Sequence, residues 1–166
     1  MKKLAYSLLL CALLLAAALV PSMAEGADAV SSASVADFYG AAALTGDELM
    51  DAINSFSGCY LVTTVSPEGT PNTAYFIFAM VKHEDKYYLQ LGLAENQSKA
   101  NLTANGEGIA IYAANPTGEE GAKPYAVSGA RMWFKAVEDE ALLDALNPSG
   151  REGAMFFEVV EVRSLG

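Results

Sequence analysis

The chain of 166 residues is poor in the side chains that hold metals or form disulfides. It contains one histidine, His83, and two cysteines, of which Cys11 lies within the first 24 residues. A single histidine gives no support to a two-histidine metal site or a Ser-His triad. Without the amino-terminal segment, Cys59 is the only cysteine, so no internal disulfide can form. Because Cys59 begins an apolar run, we expect it to be a buried small hydrophobe.

The chain also has few cations. It carries 10 lysine and arginine residues against 20 acidic residues, a formal net charge of −10. Removal of residues 1–24 takes away two lysines and no acids, which leaves 8 basic residues and a charge of −12. This charge argues against nucleic acid and anionic membrane surfaces as partners. The acidic residues are scattered along the chain, a pattern typical of a solvated surface.

The longest uncharged apolar run lies at the amino terminus. Two lysines precede an uncharged run over residues 4–20, and the small residues Ser22 and Ala24 follow it. This pattern predicts a Sec-type signal peptide over residues 1–24, cleaved after Ala24, and hence a periplasmic or extracellular protein without membrane contact. The alternative is an uncleaved anchor, because the run is just long enough for a short membrane span.

The rest of the chain is long enough for one domain. The sequence is 52% hydrophobic and 10% aromatic, which favours a packed core over disorder. Residues 25–43 are rich in alanine, serine and glycine and are predicted to form a flexible leader. Residues 44–166 are predicted to form the single folded domain.

A helix followed by strands is expected at the start of this domain. Thr45 and Glu48 have the spacing of a capping box, and Gly58 is the predicted helix stop. The run at 60–65 is rich in β-branched residues and predicts a strand, and residues 70–81 predict a long second strand. Apolar side chains occupy both faces of that second strand. We therefore expect a barrel interior on one face and a partner or ligand on the other.

The remaining segments complete a small antiparallel barrel. A short helix is predicted at 138–146 and a mobile loop at 115–124. Further strands are predicted at 87–91, 108–114, 125–136 and 155–162. Six strands with two or three short helices, joined mainly by short turns, indicate a mainly β protein.

Polar side chains follow the strand that ends at Gly92. Gln97, Ser98 and Lys99 lie where a short helix begins, with Ser98 as its predicted N-cap and a stop at Asn105 and the glycine after it. A helix start offers unpaired backbone N–H groups and a positive dipole, and a hydroxyl and an ammonium group make it suited to a phosphate. The alternative is an ordinary capped helix with a solvated lysine.

The order of elements resembles the FMN-binding split barrels of the pyridoxamine-phosphate-oxidase-like superfamily. The resemblance spans about residues 45–165 and is closest to the small bacterial FMN-binding members. Its fold is a six-stranded antiparallel split β-barrel with short helices. The residues that carry it are the turn Pro67-x-Gly69-x-Pro71, the group Ser98-Lys99-Ala100-Asn101-Leu102 with Asn105, and the strand Ile109-Ala110-Ile111.

This resemblance implies a homodimer with two non-covalently bound FMN molecules at its interface. The FMN phosphate would meet Gln97, Ser98 and Lys99. The isoalloxazine ring would lie along the second strand, taking hydrogen bonds from the backbone around four consecutive residues: Tyr75, Phe76, Ile77 and Phe78.

Two residues of the fifth strand are further candidates. By the same resemblance, Trp133 would stack at the flavin edge from the neighbouring subunit; the alternative is a core or dimer-interface tryptophan. Arg131 is expected to face water rather than pair with the phosphate.

The implied function is that of an exported flavoprotein acting in electron transfer or in reduction of a small substrate. The residues identify no general acid, so the sequence leaves open whether the protein is an FMN-dependent oxidoreductase. One alternative is an exported binding module for another flat ligand such as haem, for which His83 in a turn is the only histidine. The other is a cofactor-free interaction protein.

Overall fold

The computed structural model describes residues 43–114 and 127–165. The signal peptide, the leader up to residue 42, the loop at 115–124 and the first residues of the strand predicted at 125–136 lie outside the described residues. Within the described ranges, no helix is long and apolar enough to cross a membrane.

The described chain is mainly β with short helices, as the sequence predicts. Its helices are α1 (Gly46–Asn54), α2 (Gln97–Asn105) and α3 (Glu140–Leu146). Its strands are β1 (Cys59–Val65), β2 (Pro71–Tyr75), β3 (Phe78–His83), β4 (Lys86–Gly92), β5 (Glu107–Ala113), β6 (Gly129–Ala136) and β7 (Ala154–Arg163).

These strands form one antiparallel sheet in the order β2-β1-β5-β6-β7-β4-β3. The two edge strands, β2 and β3, follow each other in the chain and are separated only by Phe76 and Ile77. Six strand steps in a flat sheet would hold them about 29 Å apart. The two-residue link spans at most about 11 Å. The sheet therefore curls until its edges approach each other without pairing, which is the geometry of a split barrel.

The strand predicted at 70–81 is in fact two strands, so the prediction of six strands is wrong by one. Tyr75 pairs with Leu61 of β1, whereas Phe78 pairs with Leu91 of β4 at the opposite edge of the sheet. The run predicted as one strand thus forms both edge strands of the sheet. Apolar side chains occupy both faces on either side of Phe76 and Ile77, where the chain changes its partner strand. The hydrophobic pattern therefore gives no sign of this change.

The barrel interior is filled by aliphatic side chains together with five aromatic ones, Tyr60, Phe78, Tyr112, Phe134 and Phe157. The rings of Phe134 and Phe157 meet edge to face with centroids 4.9 Å apart, and those of Tyr60 and Phe78 do so at 5.1 Å. Gly108 of β5 lies so close to this core that a Cβ there would come within 2.8 Å of the Phe134 ring. The Phe134 ring therefore leaves room only for glycine at position 108 of the neighbouring strand.

Helix α1 packs on the core but is shorter than predicted. It ends at Asn54 rather than near Gly58, because Ser55 is its C-cap and Phe56 has a left-handed backbone at φ 53°. The Asn54 side chain donates to Met80 O (2.8 Å) and accepts from Met80 N (2.9 Å). Thr45 occupies the N-cap position, although its side chain makes no capping hydrogen bond. The helix is thus anchored to β3 by its last side chain.

The expectation that Cys59 is buried is wrong. Cys59 is exposed, whereas Tyr60 is buried in the core. Successive side chains of a strand point to opposite faces, so the inward position of Tyr60 turns Cys59 outward. The apolar run suggests burial, but it does not show which of its residues point into the core.

Tyr60 makes the stability of the fold sensitive to high pH. Its hydroxyl donates to Ile53 O at 2.6 Å, and burial, reinforced by Tyr112 and Tyr75, raises its pKa from 10.0 to about 12. The unfolded chain ionises first, so this contribution is complete below about pH 10 and is lost as the pH rises toward about 12. Tyr60→Phe should cost about 1 kcal/mol at neutral pH and reduce the alkaline loss.

Urea unfolding at neutral pH and near pH 11, followed by circular dichroism, measures both effects. The exposed Tyr75 offers a control, since Tyr75→Phe removes only the smallest of the three causes of the raised Tyr60 pKa and should retain most of the alkaline loss of the parent protein. An alkaline loss that is the same in Tyr60→Phe and in the parent would contradict the assignment.

Candidate functional site

The start of α2 is attached to the edge strand β2. Asn72 Nδ2 donates to Ser98 Oγ at 2.8 Å, and Ser98 is buried. The N-cap is Asn96, whose side-chain oxygen accepts from Lys99 N at 3.0 Å. The prediction that Ser98 caps the helix is therefore wrong: asparagine is as good a cap as serine, and the helix begins at the residue after Asn96. Ser98 lies in the first turn and faces β2.

A second set of contacts holds α2 one turn further along. Asn101 Nδ2 donates to Thr64 Oγ1 at 3.0 Å, and both residues are 1% exposed. Gln97 Nε2 donates to Asn101 Oδ1 at 2.7 Å, and Asn105 Nδ2 donates to Val65 O at 2.6 Å. The two asparagines of the sequence motif thus attach α2 to β1. Their role is to position the helix.

Three kinds of hydrogen-bond donor lie at the start of α2. The backbone N–H groups of Gln97 and Ser98 belong to the first turn, where no intrahelical acceptor exists. The Ser98 hydroxyl accepts from Asn72 and keeps its own hydrogen to donate. The Lys99 ammonium forms an ion pair with Glu95, one helical turn before it. An anion at this position would compete with Glu95 for the single cation of this cluster.

The residues predicted to lie along the flavin ring are divided between surface and core. Tyr75 and Ile77 are 57% and 55% exposed, whereas Phe78 is buried. Phe76 is half-buried, and its N–H donates to Tyr60 O at 3.3 Å. Strand pairing stops at Tyr75 and resumes at Phe78 on another strand. This break presents two large apolar side chains to solvent beside backbone that lies outside the strand ladders.

Strand β2 connects the two halves of the candidate site. Asn72, which holds Ser98, and the exposed Tyr75 are three residues apart, about 10 Å along the strand, and their side chains point to opposite faces of it. The polar start of α2 thus lies near one end of β2, and the exposed apolar side chains of Tyr75 and Ile77 lie at the other. Because β2 is an edge strand, a ligand with an anionic group at one end and a flat apolar body at the other would meet both halves only by crossing the free edge of β2.

Trp133 lies away from this strip. It belongs to β6, three strand steps from β2 and hence about 14 Å away across the sheet. Its ring contacts two cations: the guanidinium carbon of Arg163 lies 4.9 Å and that of Arg131 5.8 Å from the ring centroid. Arg131 is partly exposed on the face of β6 opposite the buried Met132, and its Nε donates to Ser164 O at 2.6 Å. Within one protomer, Trp133 is not brought together with the other candidates.

His83 ends β3, and the turn predicted at this position is present with Glu84 in the left-handed region at φ 52°. Within the ranges 43–114 and 127–165, no group of three or more histidine, cysteine, aspartate or glutamate side chains is placed to hold a metal ion. The described chain thus presents no metal centre beside the strip.

Sequence reasoning missed three residues that shape this region: Asn72, Thr64 and Arg163. Asn72 and Thr64 bind residues that are 26 and 37 positions away in the chain. A polar residue within a β-branched run, as at Thr64, is a weak signal of a buried polar contact. Arg163 lies at the end of the last strand, and its contact with Trp133 depends on the pairing of β6 with β7.

The fold is similar to that of several solved structures. An FMN-binding protein from Syntrophomonas wolfei subsp. wolfei has 14% identity and a TM-score of 0.51, with 72% of this chain and 85% of that chain covered. A variant of HupZ from Group A Streptococcus has 20% identity and a TM-score of 0.50, with 74% and 100% covered. A pyridoxamine 5'-phosphate oxidase-like protein from Lactobacillus delbrueckii has 16% identity and a TM-score of 0.45, with 73% and 91% covered.

No protein-family model matches the chain, and no curated protein matches it in sequence. At these identities the structural likeness shows a shared fold. The contacts of the chain's own residues must therefore carry any assignment of a ligand.

Proposed function

We propose, from the premise that this chain has the fold of the FMN-binding split barrels, that it is an exported flavoprotein that binds FMN non-covalently. The FMN-binding protein from Syntrophomonas wolfei shares this fold. The observation that carries the proposal is the strip along β2. It joins the buried Ser98 at the start of α2 to the exposed apolar side chains of Tyr75 and Ile77.

The residues of the strip fit the chemistry of FMN. At the start of α2, the first-turn N–H groups, the Ser98 hydroxyl and the Lys99 ammonium would hold the phosphate, because all belong to the first turn of the helix, where the dipole favours an anion. The isoalloxazine would lie beside the strand break, against Tyr75 and Ile77 and the backbone of Phe76. Phe78 is part of the barrel core, so only its backbone would take part.

The flavin would supply the redox chemistry, either electron transfer or reduction of a small substrate. The chain's residues orient the ring and shield it from water. Among the four residues at the strand break only Tyr75 carries a proton that it could donate, and its hydroxyl makes no hydrogen bond among the described residues that would orient it, so the proposal assigns no catalytic residue. Export by residues 1–24 implies that FMN is acquired outside the cytoplasm, since a Sec-exported chain crosses the membrane unfolded.

The proposal includes a homodimer with the flavin at its interface. The exposed large apolar side chains in the described chain are Phe56, Val65, Tyr75, Ile77 and Val160, and a second copy would cover apolar surface of this kind. In such a dimer, Trp133 would reach the flavin of the other subunit, which one protomer alone does not allow. Sedimentation of the purified protein tests the assembly: a monomer would contradict it.

Titration of the purified, flavin-free protein with FMN, followed by flavin fluorescence and absorbance, tests the proposed function. We expect saturable quenching at one flavin per subunit. A folded protein that leaves the fluorescence unchanged would exclude the flavoprotein. A parallel titration with haemin tests the alternative of a binding module for another flat ligand.

Lys99→Ala is expected to raise the dissociation constant for FMN roughly tenfold, because it removes a charge-assisted hydrogen bond to the phosphate. Glu95→Gln is the matched variant, since it removes the carboxylate that competes for Lys99, and should leave FMN affinity unchanged or raise it. Both side chains lie at the surface of the α2 start, so neither change should unfold the protein. Equal FMN affinity in the parent and in Lys99→Ala would show that Lys99 does not bind the phosphate.

A further inference from the structure

A cavity of about 390 Å³ lies between α3 and the turn that joins β3 to β4. His83 and Glu84 line it from the turn, Tyr88 from β4, and Asp139 and Leu142 from the start of α3. Its volume is within the range usual for sites that bind small molecules. The cavity is therefore large enough for a small organic ligand.

The hydroxyl group of Tyr88 opens onto this cavity without a partner. Tyr88 is 2% exposed, and its ring packs with Leu146 and Phe156. In the part of the chain that the structure describes, its hydroxyl makes no hydrogen bond, yet no side-chain polar atom there is both fully enclosed and unpaired. The hydroxyl must therefore reach the cavity that Tyr88 lines. Burial raises the pKa of Tyr88, and the carboxylates of Glu158 and Glu84 raise it further, so the hydroxyl keeps its proton at neutral pH.

The cavity carries an excess of negative charge. The cation that lines it, Lys86, forms an ion pair with Glu158, with Nζ 2.8 Å from Oε1. Within residues 43–114 and 127–165, neither Glu84 nor Asp139 forms an ion pair. Asp139 Oδ1 accepts from Leu142 N at 3.1 Å, which leaves Oδ2 to meet a ligand. Two carboxylates and a hydroxyl thus line a cavity whose lysine is already neutralised.

We propose that this cavity binds a small organic ammonium ion. Its three N–H donors would meet three acceptors, the carboxylates of Glu84 and Asp139 and the hydroxyl oxygen of Tyr88. Its apolar body would lie against Leu142.

This inference does not rest on the flavin proposal. The cavity lies at the last residue of β3, about 17 Å along the strand from the break at its first residue. None of the exposed apolar side chains that the proposed dimer would cover lines it.

The ring of His83 reports directly on the cavity. His83 lines it and is the only histidine in the chain, so its imidazole resonances need no further assignment. The purified protein without a histidine tag is titrated with n-butylammonium chloride, 1-butanol and sodium butyrate at constant pH and ionic strength. We expect saturable shifts with butylammonium, roughly tenfold weaker binding of 1-butanol, and no saturable shift with butyrate. Equal affinity for butylammonium and 1-butanol would overturn the proposal, as would the absence of a saturable shift with butylammonium.

Tyr88→Phe tests the role of the hydroxyl. It should weaken butylammonium binding roughly threefold to tenfold and leave the free energy of unfolding unchanged, because the hydroxyl has no protein partner to lose. Tyr87→Phe is the matched control. The Tyr87 hydroxyl lies on the opposite face of β4 and donates to Asp47 Oδ1 at 2.8 Å, so this change should lower stability and retain butylammonium binding. Unchanged affinity in a folded Tyr88→Phe protein would contradict the assignment.

Variants of the two carboxylates complete the test. Asp139→Asn keeps the N-cap of α3, because asparagine caps as well as aspartate, and removes only the charge. Asp139→Asn and Glu84→Gln should each weaken butylammonium binding roughly tenfold. Asp51→Asn, on α1 and outside the cavity, controls for the change in net charge and should leave affinity unchanged. An equal loss in all three variants would show attraction by the overall charge alone and would overturn the proposal.

Discussion

Replacement of Phe157 by alanine is expected to lower the free energy of unfolding by about 3–5 kcal/mol. Phe157 is fully buried, and its ring meets that of Phe134 with centroids 4.9 Å apart. Its backbone lies between Leu89 of β4 and Ala136 of β6. Truncation would remove the ring from three adjoining strands and leave a cavity that a closely packed core fills only in part.

The position of β7 makes this change important for function as well as stability. In the order β2-β1-β5-β6-β7-β4-β3, β7 is the strand that joins the half of the sheet ending in β2 to the half ending in β3. The proposed flavin strip lies where these two edges approach each other. A loosened β7 should therefore weaken FMN binding although Phe157 lies in the core and not in the strip.

Urea unfolding followed by far-ultraviolet circular dichroism measures the loss of stability. Val160→Ala is the matched control, because Val160 belongs to the same strand but is 51% exposed. It should cost less than about 1 kcal/mol, since little apolar area is withdrawn from a packed environment. A similar effect of the two substitutions would show that the contact of Phe134 with Phe157 is not the centre of the core.

The fold class could be predicted from the sequence because its signals are local. Runs of β-branched residues, turns rich in proline and glycine, and short helical stretches each specify an element without reference to distant residues. The order of strands is different in kind. The division of residues 70–81 between β2 and β3 depends on pairing with Leu61 and Leu91, and neither partner alters the local pattern.

In the candidate site too, the local features could be predicted from the sequence, and the contacts between distant segments could not. The polar start of α2 was predicted from neighbouring residues, and Gln97 and Lys99 are there at the surface. The prediction for Ser98 was wrong in its role, because the serine is buried by Asn72, which lies 26 residues earlier. Tyr75 is exposed because it lies on the outer side of β2, where exposed and half-buried residues alternate, and Ile77 continues this alternation past the end of the strand. Contacts between distant segments decide which polar residues are free to meet a ligand.

Asn101→Ala is expected to lower the free energy of unfolding by about 1–3 kcal/mol, because it leaves the Thr64 hydroxyl buried without its partner. Asn101 donates to Thr64 at 3.0 Å, which ties the middle of α2 to β1, and within the helix it accepts from Gln97 of the first turn. We therefore expect FMN affinity to fall in the same variant. The change separates the positioning of α2 from direct contact with the phosphate.

A double-mutant cycle with Thr64→Val tests this interpretation. The double variant should lose less stability than the two single variants together, because it removes both buried polar partners. Its FMN affinity should stay low, since valine and alanine cannot form the hydrogen bond that holds α2 in position. Additive losses would exclude the coupling between Asn101 and Thr64. Full recovery of FMN affinity would show that the cofactor depends on the overall stability of the barrel and not on the position of α2.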